Sequence, residues 1–180
     1  AKALYKARKY GPALEGLSEA KKTAKKAAHA KAAVAAGKTT VGFVNLGCSK
    51  NQVDSELMLG TLVHDGFQLT GDAKKAEVVI INTCGFIEEA KQESINAILE
   101  HGKLKKKGAC RILIAAGCLA QRYQGDLLKE LPELDGVVGT GEFGKIAEIC
   151  RDLLAPKKRH QRLWISQPPY LYDELAPRLR

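Results

Sequence analysis

Val41-Gly-Phe-Val-Asn-Leu46, Glu77-Val-Val-Ile-Ile-Asn82 and Arg111-Ile-Leu-Ile-Ala-Ala116 are three short apolar runs, and each reaches a cysteine two residues on: Cys48, Cys84 and Cys118. Runs this short and this rich in Val and Ile read as strands buried on both faces, where the alternation of a half-exposed strand is lost. Helical periods fill the segments between them, and strand alternating with helix is the pattern of a parallel α/β sheet. Open sheets of that kind bind ligands beyond the carboxyl ends of their strands. The three thiols are therefore expected to meet at one sheet edge.

Working outward, Ser49 or Asn51 can cap a helix that carries Val53, Leu57, Met58, Leu62 and Val63 on one face and stops at Gly66. A short strand is expected around Phe67 to Leu69. Ile87, Ala90, Ser94, Ile95 and Ile98 mark the inner face of the next helix, with Glu88, Glu89, Lys91 and Glu93 outside and His101-Gly102 at its end. Ala120, Tyr123, Leu127, Leu128 and Leu131 give a further helix, broken at Pro132, and Asp135-Gly-Val-Val-Gly139 a last short strand. Ile146, Ile149, Cys150, Leu153 and Leu154 define a final helix that ends before Pro156. The expected fold is α/β: a doubly wound, flavodoxin-like, parallel five-stranded sheet with flanking helices. In strand order 2-1-3-4-5 the switch point lies between strands one and three. Cys48 and Cys84 would flank it, with Cys118 one strand further.

The 180 residues suit one domain with appendages, and a body of this size buries enough surface to need no disulfide staples. The formal charge of +9 sits almost wholly at one end. Residues 1–38 carry ten Lys or Arg against two Glu, a net of +8, which leaves only +1 on the other 142 residues. Residues 1–40 thus read as a basic Ala/Lys-rich tail, a frayed helix or disorder, with too few large apolar side chains to dock. A weak, salt-sensitive contact with RNA or ribosome is the functional reading of such a tail. Residues 41–154 form the expected domain, and residues 155–180, with Lys157-Lys-Arg-His160, Pro168-Pro169 and no sustained period, read as a linker. No membrane-length apolar run and no secretory leader is seen, so the expectation is a soluble, cytoplasmic chain. Five cysteines, an odd number, then point to free thiols and to metal or redox chemistry.

Cys110 precedes a strand and Cys150 continues an apolar helix face, so both are expected to be structural. For the other three, buried free cysteine is the plain alternative to a shared site. Helix starts behind the loops would favour thiolate, the metal-binding form. Two centres suit three thiolates: a four-iron cluster with one iron left open, or zinc with His64 or His101 as fourth ligand. Both histidines sit at the far ends of their helices, which disfavours zinc. Gly139-Thr-Gly-Glu-Phe-Gly144 spells a dinucleotide fingerprint but has only one helix after it, so turn glycines are the better reading.

Asn45-Leu-Gly-Cys-Ser-Lys-Asn-Gln-Val-Asp-Ser-Glu56, Asn82-Thr-Cys-Gly-Phe-Ile-Glu-Glu-Ala-Lys-Gln-Glu-Ser94 and Ala116-Gly-Cys-Leu119 together resemble the N-terminal domain of the methylthiotransferases, which are radical S-adenosylmethionine enzymes. The likeness covers about residues 41–150, and the stretch from Asn82 to Ser94 is nearer the RimO-type branch, acting on an aspartate of a small-subunit ribosomal protein, than the tRNA-modifying branch. It implies that Cys48, Cys84 and Cys118 hold one auxiliary 4Fe-4S cluster, whose open iron handles the sulfur to be inserted. It further implies a second 4Fe-4S cluster and S-adenosylmethionine on a barrel domain, then a substrate-binding domain. This sequence contains no Cys-x-x-x-Cys-x-x-Cys motif for that second cluster. By itself the chain is expected to be inactive, with no catalytic residue of its own. A non-catalytic cluster or zinc module that recruits a ribosomal partner is the alternative.

Overall fold

The computed structural model describes residues 39–155 and 161–167, together with 177 and 179. Six parallel strands form one sheet in the order β2-β1-β3-β4-β5-β6: β1 Thr40–Asn45, β2 Gln68–Thr70, β3 Val78–Thr83, β4 Ile112–Gly117, β5 Gly136–Val138 and β6 Arg162–Trp164. All six residues of β3 and all six of β4 are buried, because the central strands are covered on both faces. Successive side chains alternate between two cores. Val78, Ile80, Ile112 and Ile114 pack with Leu57, Met58 and Leu62 of α1 (Ser49–His64) and with Ile146, Ile149 and Leu153 of the last helix, Ile146–Leu154. Val79, Ile81, Leu113 and Ala115 pack with Ile98 of α2 (Glu88–Gly102) and with Leu119 and Leu127 of the helix Cys118–Glu130. A short helix, α3 (Leu104–Lys107), follows α2, so Cys118–Glu130 is α4 and Ile146–Leu154 is α5.

The five expected strands and their order are present, and the fold is of the expected flavodoxin-like class. A sixth strand was not anticipated. β6 falls within residues 155–180, the stretch read as linker, and pairs parallel with β5 through Gly136 to Arg162 and Val138 to Trp164. Three residues are too few to show a period, which is why sequence alone did not reveal it. The expected readings of residues 1–38, 156–160, 168–176, 178 and 180 lie outside the described residues.

Two helix faces differ from expectation. Val53 and Val63 are 41% and 45% exposed, while Asn51, Asp54 and Ser55 are buried in the first half of α1. Cys48 takes the N-cap position in place of Ser49 or Asn51, so Asn51 turns inward instead of capping. Tyr123 is 36% exposed, one residue before α4 breaks at Gln124, whose φ of 45° and ψ of −121° are not helical. Gly139 to Gly144 does form a turn: Thr140–Lys145 is a 3-10 segment leading into α5.

Candidate metal centre

Strand register sets the site. Asn45 of β1 pairs with Asn82 of β3, and Asn82 with Ala116 of β4, so the three strands end level with one another. Cys48, Cys84 and Cys118 follow these residues at once, all at the carboxyl edge. Cys48 is exposed at the start of α1, Cys84 is buried in the loop before α2, and Cys118 is half-buried as the first residue of α4. A Cβ on Gly47 would lie 2.9 Å from Cys84 Sγ, so the first and second loops touch. Gly47 also has φ of 97° and Gly117 φ of 101°, left-handed values that favour glycine directly before Cys48 and Cys118.

Electrostatics separates the thiols. At Cys48 the backbone N–H of Asn51 and then that of Lys50 hold the thiol below its ordinary range, although Sγ makes no capping hydrogen bond of normal geometry. This matches the expected effect of a helix start. Cys118 goes the other way: burial pushes it up, Lys50 offsets part of that, and the nearby charges of Asp54, Cys84 and Cys48 add to the rise. That Cys118 feels both other thiols is the electrostatic sign of their convergence.

The side chains behind the cysteines are polar and buried. Asn51, with no exposed surface, donates from Nδ2 to Leu46 O at 2.7 Å and Thr83 O at 3.1 Å. Its Oδ1 accepts the Cys118 thiol proton at 3.7 Å. Asn82 Nδ2 donates to Asn51 O and to Ser55 Oγ, both at 2.9 Å, while Asn82 Oδ1 is buried without a partner among the described residues. Ser94 Oγ accepts the Cys84 N–H at 3.0 Å, and Arg122 donates to Gly85 O at 3.4 Å. Sequence reasoning missed Asn51, Asn82 and Ser94 as parts of the site. The available signal was a polar run, Asn51, Asp54 and Ser55, at helical spacing.

The other candidates fall away from this edge. His64 ends α1, roughly 22 Å from its start at 1.5 Å per residue, and His101 lies in the last turn of α2 with Nδ1 2.8 Å from Ala97 O. Cys110 is buried at the opposite end of β4, and burial pushes its thiol up. Burial pushes Cys150 up to about 12. A groove of about 840 Å³ runs beside the site between Val44 of β1, Leu46 just after it, and Glu88, Glu89 and Glu93 of α2, but no cysteine lines it.

Among the described residues, no three His, Cys, Asp or Glu side chains close on a single ion. A cubic cluster asks for something different, three soft thiolates spaced around a body several ångström across. Three thiols on touching loops, with helix N–H groups beside one, suit that donor chemistry.

Residues 40–139 match the model described as "Uncharacterized protein family UPF0004". The chain belongs to that family. Within it the chain is similar to proteins named "Ribosomal protein uS12 methylthiotransferase RimO". It is 49% identical to that of Trichlorobacter lovleyi over 142 residues, 79% of this chain and 31% of the relative. It is 48% identical to that of Geobacter sulfurreducens over the same shares, and 48% to that of Bdellovibrio bacteriovorus over 139 residues, 77% of this chain and 30% of the relative. The chain spans under a third of the length of these curated relatives. No described helix is long and apolar enough to cross a membrane.

Proposed function

We propose that residues 41–154 are the auxiliary iron–sulfur domain of a methylthiotransferase that inserts a methylthio group into an aspartate of the ribosomal protein uS12. In this reading Cys48, Cys84 and Cys118 bind one 4Fe-4S cluster. The observation that carries it is the level ending of β1, β3 and β4, which brings three thiols together in a body whose relatives are named for that activity. When bound, the cluster would supply an iron with no protein thiolate, open to the sulfur being inserted. The chain's own groups bind and orient: Ser94 fixes the Cys84 backbone, the start of α1 favours the Cys48 thiolate, and burial shields Cys118 from water.

S-adenosylmethionine, the second cluster and substrate binding belong in this reading to the further length that the relatives have. Residues 1–40 would add at most a salt-sensitive contact with RNA or ribosome, and the chain after β6 would lead toward the remaining domains. The names of the relatives favour a ribosomal protein over tRNA as substrate.

Anaerobic reconstitution with iron and sulfide tests the reading. The expected result is about four irons per chain, lost when Cys48, Cys84 or Cys118 is changed to Ser and kept when Cys110 or Cys150 is changed. Equal loss at all five positions would overturn the ligand assignment.

A further inference from the structure

We infer that Asn51 is a positioning residue for the three-cysteine site, its single carboxamide tying together the loops that carry Cys48, Cys84 and Cys118. Its geometry is a matter of hydrogen bonds alone, whereas its purpose rests on the cluster reading. Leu46, whose carbonyl takes one Nδ2 proton, lies two residues before Cys48. Thr83, whose carbonyl takes the other, directly precedes Cys84. Cys118, as the metal-free thiol, is the donor to Oδ1, a bond given up when the thiolate ligates, whereas the two Nδ2 bonds do not involve a ligand atom. One planar group therefore reaches all three loops, with both Nδ2 protons used and one bond accepted at Oδ1.

The chemistry explains why this residue type is needed. Three loops call for two donors and one acceptor on one short rigid side chain. Aspartate has no donor, serine has one, and glutamine adds a methylene where no space is exposed. A capping asparagine would spend Oδ1 on a helix N–H, but here Oδ1 takes a thiol proton from another element. Asn51 is itself held in place, because its backbone carbonyl accepts from Asn82 Nδ2 and from Ser55 Oγ at 2.8 Å, and Ser55 Oγ also meets Asn45 Oδ1 at 2.9 Å. An apolar residue of the kind Leu57, Met58 and Leu62 are further along the same helix would leave the Leu46 and Thr83 carbonyls, one on each of two cysteine loops, without this donor. The polar stretch of α1 is confined to the half that faces the cysteines.

Two readouts on the full 180-residue chain test this, with Asn51→Ala, Asn51→Ser should Asn51→Ala not fold, and Met58→Ala as a control that weakens the core of the same helix without touching the loops. In the metal-free, reduced chain, Cys118 alkylation by iodoacetamide, followed by mass spectrometry, should quicken roughly five-fold in the Asn51 variant and not in Met58→Ala, the size expected for one lost hydrogen bond. After reconstitution the Asn51 variant should hold less than half the wild-type iron or show a changed electron paramagnetic resonance spectrum, while Met58→Ala keeps the wild-type spectrum. Unchanged Cys118 reactivity in the Asn51 variant, or an equal change in Met58→Ala, would overturn the inference. Should the wild-type chain load no iron, the cluster reading fails, and the alkylation rates alone decide the role of Asn51.

Discussion

Cys48 and Cys118 both stand at helix starts, yet their surroundings push them in opposite directions. Cys48 has the N–H groups of Asn51 and Lys50 beside it and little burial to oppose them, whereas burial dominates at Cys118. Only the thiolate attacks an alkylating agent, so a lowered pKa means reaction at lower pH and a raised one means reaction delayed to higher pH. In the metal-free chain, iodoacetamide is expected to label Cys48 at the lowest pH, Cys118 and Cys110 only as pH rises further, and Cys150 last. Peptide mass spectrometry across a pH series from 6 to 10, about two units either side of an ordinary thiol, gives the order. Cys118 reacting before Cys48 would show that burial does not hold the Cys118 thiol up. The identity of the cysteines as candidates was legible in the sequence from their placement after strands. The service of Asn51 was not, because an asparagine near a helix start reads as a cap until its partners on other strands are known.

At the scale of elements, the sequence was most legible where patterns are long and least where they are short. The buried runs of β3 and β4 and the face of α5 carried enough apolar residues to be placed correctly. β6, three residues long, carried no pattern of its own and is held by its surroundings. Its Trp164 packs on the α1 and α5 side of the core, Gly139 N–H donates to Trp164 O at 2.8 Å, and Arg162 pairs with Asp152 of α5. A Cβ on Gly136 would meet the Trp164 ring at 3.1 Å, so the ring lies directly on β5. Trp164→Ala is expected to cost roughly 1–2 kcal/mol, below the cost for a fully buried aromatic because the side chain is partly exposed. Urea unfolding measures it. A change within error would show that β6 lies on the sheet without contributing to it. The misread face of α1 has the same origin: Val53 fits an apolar stripe, but the turn from Asn51 to Ser55 faces a polar edge, and tertiary contact outweighs the stripe.

For the molecule as a whole, the sheet gathers ligand candidates while the rest of the expected chemistry needs groups this chain does not contain. Supplied with reductant and S-adenosylmethionine, the reconstituted 180-residue chain is expected to release no 5′-deoxyadenosine, because its sequence has no Cys-x-x-x-Cys-x-x-Cys motif to hold a second cluster. Liquid chromatography of the reaction mixture checks this, and release above a chain-free blank would place radical generation on the three-cysteine site itself. The sequence by itself determined the α/β class, the order of the main strands, the three cysteines and the family likeness, since each is written in local periodicity or in contiguous motifs. Tertiary structure alone decided which polar residues stand behind the thiols, that burial pushes Cys118 up although it starts a helix, and that a sixth strand extends the sheet. Those properties depend on which side chains meet across 30 or more residues of intervening chain, as Asn51 meets Thr83 and Cys118, and no local pattern encodes such a meeting.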